Sequence, residues 1–265
     1  MNTETRTDKS LLIFFLLVFV ISIPFWLLGA LTDGFLPEEL PLNLPVSALM
    51  VFNPMIAALI LVFREDGKDG VINLLKRSFD YRRIPAKIWY LPVFLLMPLV
   101  MVLAYGWMNL AGNPIPALRF PVLMVPVLFI AFFITAVGEE VGWQGYAFDP
   151  LQKRWNALGA SLILGIVWAL WHSVPYIQTH NTPAWIGWQY VATVGLRVLI
   201  VWLYNNTGKS LFAAITFHTM INVSTFLFPD YGSYYDPFIV SVIITGMATA
   251  VVIVWGPKTL ARYKL

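Results

Sequence analysis

Eight apolar runs, nearly free of charge, leave this chain few folds to choose from: Leu11–Leu31, Val46–Phe63, Ile88–Leu110, Phe120–Phe148, Ala157–Ile177, Trp188–Tyr204, Leu211–Phe228 and Phe238–Trp255. A hydrocarbon core about 30 Å thick takes about 20 apolar residues per helix. Backbone groups in lipid must bond within their own segment, which favours helices. The expected fold is therefore all-α, a polytopic membrane protein with about eight transmembrane helices. Composition agrees, with 59% hydrophobic residues, 12% charged residues and a mean hydropathy of +0.74. The fourth run is long enough to tilt or to pass the bilayer surface.

Lys and Arg favour the cytoplasmic side of short loops. With the N-terminus inside, 15 of the 17 Lys and Arg fall in inner segments, leaving Arg119 outside and Arg197 within a span. The expectation is an integral protein of the cell (plasma) membrane with both termini cytoplasmic. The basic balance then reflects topology and anionic lipid, and calls for no nucleic acid. No composition shift marks a domain boundary, so residues 1–265 read as one integral membrane domain, and nothing in the pattern specifies an oligomeric state. The longest polar stretch, Arg64 to Lys87, reads as a solvated cytoplasmic loop, although Val71 to Phe79 has helical spacing of apolar residues. The first span reads as an uncleaved helix, because Leu28-Gly29-Ala30 makes a poor processing site.

Against this apolar background, a few polar residues stand out. Glu139 and Glu140 close the fourth run; His172 follows Trp168-Ala169-Leu170-Trp171 in the fifth; His218 and Asn222 lie in the seventh. Ionisable groups within a span cost a few kcal/mol each, so residues kept there usually serve function. Rise along a helix puts Glu139, His218 and Arg197 roughly 12 to 15 Å from the inner ends of their spans. His172 counts to roughly 24 Å, a gap that a tilt, a late start or a broken fifth helix has to close. His218 and Asn222, four apart, share a helix face. Glu139 and Glu140, about 100° apart, cannot both face one centre, so one serves chemistry and the other needs a partner.

A carboxylate near an imidazole can take a proton from water, and histidine and asparagine can stabilise the oxyanion formed on a peptide carbonyl. The same groups could hold zinc through Glu139, His172 and His218, with a fourth position for water. Spacing alone does not separate the zinc route from a metal-free one. With no cysteine in the chain, thiol nucleophiles and thiolate zinc sites are excluded. Neither a Gly-x-Ser-Gly nor a His-Glu-x-x-His string occurs, and Tyr235-Asp236 sits in a polar loop. Rival readings are a non-catalytic immunity or scaffold protein, and a transporter with the carboxylates as a proton relay.

Glu139-Glu140-Val141-Gly142-Trp143-Gln144-Gly145, then Trp168 to His172, then His218 to Asn222 resembles the CAAX protease and bacteriocin-processing family of intramembrane proteases, which includes prenyl-protein endopeptidases. The resemblance runs from about Phe132 to Ser224. It implies a site between helices 4, 5 and 7 that hydrolyses a peptide or membrane-protein substrate near the cytoplasmic side. It also implies Glu139 as water activator, His172 as its assistant, and His218 and Asn222 at the oxyanion or a metal. Two residues depart from the family pattern: Gln144 stands where arginine is usual, and Trp168 where phenylalanine is usual. Gln144 leaves Glu140 without its cation, and Arg197 is the one basic residue inside a span. An arginine in hydrocarbon and an unpaired glutamate each need a partner, so Arg197 is expected to pair with Glu140.

Overall fold

The computed structural model describes residues 8–32, 46–118, 121–229, 232 and 234–262, and these contain helices and no strand. In chain order they are α1 (Asp8–Leu31), a 3-10 segment (Val46–Phe52) leading into α2 (Asn53–Arg77), two short 3-10 turns (Tyr81–Arg83 and Lys87–Trp89), α3 (Tyr90–Leu110), α4 (Met124–Gly142), a π-helical segment (Trp143–Phe148), α5 (Asp149–Trp171), α6 (Ser173–Gln178), α7 (Pro183–Asn206), α8 (Leu211–Leu227) and α9 (Pro237–Trp255). The protein is thus an all-α polytopic membrane protein. Among the described residues, six helical stretches are long and apolar enough to cross a bilayer, and Leu211–Leu227 is a shorter apolar helix. The count differs from eight because Met124–Gln178 is one helical stretch of 55 residues holding both the fourth and fifth expected spans. Of the residues used for orientation, Arg6, Arg119 and Lys264 lie outside the described set.

Local chemistry sets several of these boundaries. Thr182, Ser210 and Asp236 cap α7, α8 and α9, each accepting a backbone N–H from the first turn, and Pro183 and Pro237 open α7 and α9 where a missing N–H costs nothing. The stretch from α4 to α6 is broken at Asn156 (φ 62°, ψ 177°). Its Oδ1 accepts the Gly159 N–H at 3.0 Å, and the N–H groups of Ala157 and Leu158 donate to the carbonyls of Lys258 and Pro257 beyond α9. The orphan donors of the restarted helix are thereby satisfied.

The stretch from Arg64 to Lys87 is not the solvated loop that its charge suggested. Helix α2 runs on to Arg77 with a break at Gly67 (φ 66°), and Gly70 and Leu74 are buried. Leu74 packs beneath the π-helical segment, where a Cβ on Gly145 would meet Leu74 Cδ1 at 3.1 Å. Burying an apolar face outweighs the solvation of the flanking charges, most of which stay exposed, while Arg77 turns inward to the π-helical segment.

Helix α7 occupies the centre, with 67% of its most apolar window inside the protein. It packs against α5, α8 and α9, while α4 lies against α2 and α8. Two glycines allow the approaches that matter for the site. A Cβ on Gly142 would run into the Pro54 carbonyl, so only glycine lets α4 sit directly on the start of α2. A Cβ on Gly165 would lie 3.0 Å from Val194 Cα and 3.2 Å from Arg197 Cβ, so α5 leaves room for an arginine on α7. Gly142→Ala is expected to destabilise the protein by about 1–3 kcal/mol through overpacking, read as a lower melting temperature in detergent.

Candidate active site

Glu139 and Glu140 end α4, immediately before the hydrogen-bond pattern switches to the π-helical segment. Such bulges frequently occur at functional sites because they re-aim side chains. Here the bulge is clamped from outside the site. Arg77 donates to the Gly145 carbonyl at 3.2 Å and to the Tyr204 hydroxyl at 3.0 Å. Tyr204 in turn donates to Asp149, which also binds Lys209 at 3.0 Å.

Both glutamates are buried, with 4% of Glu139 and none of Glu140 exposed, so neither side chain snorkels to the headgroups. They separate into different environments, as their angular spacing requires. The Glu140 carboxylate is fully engaged: Arg197 Nη1 lies 2.8 Å from Oε2, Nη2 lies 3.1 Å from Oε1, and His218 Nδ1 lies 2.9 Å from Oε1. The expected Arg197–Glu140 pair is therefore present as a two-pronged ion pair, the geometry for which a planar guanidinium is suited. Arg197 is fully buried, so it does not snorkel.

Glu139 has one oxygen held and one facing an imidazole. Trp168 Nε1 donates to Oε2 at 2.6 Å, and His218 Nε2 lies 3.9 Å from Oε1. The indole N–H of Trp168 is thus the direct partner of the first glutamate. The ring of Trp168 also lies against His172 at 5.7 Å and His218 at 5.2 Å between centroids, and the Arg197 guanidinium sits 4.3 Å from its centroid. One indole thus touches four of the polar residues.

Trp168 also accounts for the depth of His172. It stands one turn earlier in α5 and reaches Glu139, so the glutamate is level with position 168. Side chains lean towards a helix N-terminus, which brings the imidazole back over that last turn. His172 Nδ1 donates to the Trp168 carbonyl at 2.9 Å, which leaves Nε2 as an acceptor. Behind it Trp171 lies 4.8 Å from the imidazole, anchored by its Nε1 on Ser22 Oγ at 2.8 Å, and Asn53 Nδ2 binds the same hydroxyl at 3.0 Å. Tyr176 stacks on the other face at 5.6 Å.

His172 and Asn222 are half-buried, whereas Glu139 and His218 are buried. Asn222 stands one turn past His218 on α8, and among the described residues no hydrogen bond ties its carboxamide to the cluster. Gln144 is fully buried, and among the described residues neither atom of its carboxamide has a hydrogen-bond partner.

The donor set bears on a metal as follows. Both histidines are engaged through Nδ1, which would leave Nε2 for an ion, a common arrangement at metal sites. However, one oxygen of Glu139 is taken by Trp168. Among the described residues no three His, Asp or Glu side chains gather as ligands of a single ion. As arranged, these side chains do not form a closed ligand set.

Comparison with known proteins bears on the same stretch. Residues 121–224, which contain every residue of the cluster described above, match the family model for type II CAAX prenyl endopeptidases, Rce1-like. The chain is 31% identical over 229 residues to CAAX prenyl protease 2 of Methanococcus maripaludis, covering 80% of this chain and 82% of that protein. It is 24% identical over 182 residues to lysostaphin resistance protein A of Staphylococcus haemolyticus, covering 67% of this chain and 48% of that protein. With a relative this similar along most of both lengths, the chain belongs to the Rce1-like family of CAAX prenyl endopeptidases.

Proposed function

We propose that this chain cleaves a peptide bond at the cytoplasmic side of the membrane with a water activated by Glu139. The observation that supports this most is the unequal state of the two glutamates. Glu140 is neutralised by Arg197 and bound by His218, while Glu139 has one oxygen fixed by Trp168 and the other turned to His218 Nε2 at 3.9 Å. A carboxylate held by one oxygen and free at the other is suited to take a proton from water. His172 Nε2, an acceptor by its tautomer, orients that water or shares its proton. Attack on the scissile carbonyl places negative charge on its oxygen, and the half-buried Asn222 carboxamide is a donor for it. His218, whose Nδ1 donates to Glu140, can serve the same oxyanion through Nε2–H only when both ring nitrogens carry a proton. Each such donor contributes about 3 kcal/mol to the transition state. The proton then passes to the leaving amine.

The substrate we assign is a prenylated C-terminal tail, on the strength of the family and of the name of the archaeal relative. The test is purified protein in liposomes given a prenylated CAAX peptide, its unprenylated form and a leader peptide, with products identified by mass. Cleavage of the prenylated peptide several-fold faster than the others is expected. A folded protein that cuts none of them would be a scaffold, and proton-dependent flux without cleavage would make it a transporter.

No step is assigned to zinc. Activity is expected to persist in protein shown metal-free by elemental analysis after chelation. Loss of activity restored by stoichiometric zinc would reinstate Glu139, His172 and His218 as a ligand set. Reporter fusions are expected to place Lys76 on the cytoplasmic side, and an external Lys76 would reverse the orientation.

A further inference from the structure

We propose that Arg197 positions both glutamates at once, gripping Glu140 with its edge and, with its face, the Trp168 ring that holds Glu139, so that beside an uncharged Gln144 the cation of the site stands on α7. The proposal rests on Glu139 being the base. Position 144 stands four residues after Glu140, where a long cationic side chain would reach it. The glutamine there carries no charge, and its buried carboxamide bonds to nothing among the described residues. Glu140 is nevertheless fully buried, which demands a positive partner, and Arg197 supplies it from the neighbouring helix. The gap left by the missing Cβ of Gly165 lets that side chain pass.

A guanidinium has an edge and a face, and both are in use. The edge grips Glu140 through two N–H groups, while the face covers the Trp168 ring at 4.3 Å. The indole then turns its own N–H to Glu139 at 2.6 Å. Glu140, Arg197, Trp168 and Glu139 form a continuous chain, and Glu140 carries it on to His218. A phenylalanine at 168 would keep the face for Arg197 but lose the donor to Glu139. An arginine at 144 would supply Glu140 with charge but has no shown route to the indole. Arg197 therefore joins Glu140 to Trp168, and it lies outside the motifs. Arg197 is a positioning residue because its edge and face are occupied by Glu140 and Trp168, whose effects it transmits.

The test combines thermal melting in detergent with steady-state kinetics on the variants Arg197→Leu, Arg197→Lys, Trp168→Phe and Arg197→Leu/Gln144→Arg. Arg197→Leu should lower kcat by about a hundredfold with KM within about threefold, since it acts on the geometry of the reacting groups rather than on binding. Arg197→Lys, which keeps the charge and loses the fork, should fall between wild type and Arg197→Leu. Returning a cation to position 144 should recover at least about tenfold of kcat and part of the lost melting temperature. Arg197→Leu and Trp168→Phe should be non-additive in both readouts. Should Arg197→Leu fail to fold, Arg197→Met/Glu140→Gln removes both charges of the pair, and it should fold yet stay impaired in kcat. Strict additivity of Arg197 and Trp168, or a Gln144→Arg change that rescues neither melting nor kcat, would overturn the proposal. If the wild type cleaves no peptide, the catalytic reading fails, while the melting cycle still decides whether the coupling exists.

Discussion

Glu139→Gln is expected to cut hydrolysis by about a thousandfold or more while leaving the protein folded. Glutamine keeps the shape of the side chain and still accepts the Trp168 N–H now bound at 2.6 Å, so local packing survives. What it loses is the basic oxygen that faces His218 Nε2. General-base catalysis is typically worth about 10²–10⁴ in rate, and this base has no substitute within reach, because Glu140 is committed to Arg197 and His218. Unchanged melting, measured beside single-turnover cleavage, separates a lost base from a lost fold.

Glu140→Ala has the opposite signature and should destabilise the protein by about 3–5 kcal/mol. Removing one member of a buried pair leaves the other charge without solvent or partner, and Arg197 has no exposed surface through which to recover water. His218 Nδ1 loses its carboxylate at the same time, so kcat should fall as well. Removing both charges with Arg197→Met is expected to restore much of the stability, because an apolar pair of similar volume is often as stable as the ion pair it replaces. Chemical or thermal unfolding in detergent checks the order: Glu140→Ala lowest, the double variant above it, wild type highest.

Much of this molecule was legible in its sequence because lipid makes polar residues costly. The apolar runs gave the all-α membrane fold, and the same cost marked Glu139, Glu140, His172 and His218. It also linked Arg197 to Glu140 across 57 positions, since each was a charge without a partner. Three features were not legible. The π-helical turn at Trp143–Phe148 depends on which carbonyl each N–H selects, and composition carries no trace of that choice. The bond from Trp168 to Glu139 depends on how α5 lies beside α4, which spacing along one helix does not reveal. The hold of Ser22 on Trp171 is likewise a contact between distant segments, made by a serine in a run that reads as ordinary lipid-facing helix. One apparent conflict, the excess depth of His172, is bridged by Trp168, whose indole one turn earlier contacts both Glu139 and the imidazole.

The polar residues between Arg64 and Lys87 carry a different lesson. Charge along a segment says where its tips go and little about its stem. Leu74 is fully buried against the π-helical segment, and Arg77 holds the Gly145 carbonyl, so a stretch that reads as a solvated loop supports the turn that follows the glutamates.

Attack by water is the central chemical claim, and isotope incorporation in a single turnover tests it most directly. Excess purified protein, mixed with a cleavable prenylated peptide in heavy-oxygen water, should release a product whose new carboxylate carries one heavy oxygen atom, and Glu139→Gln should release none. Cleavage by Glu139→Gln at the wild-type rate, or heavy oxygen found on a protein carboxylate in place of the product, would contradict a Glu139-activated water.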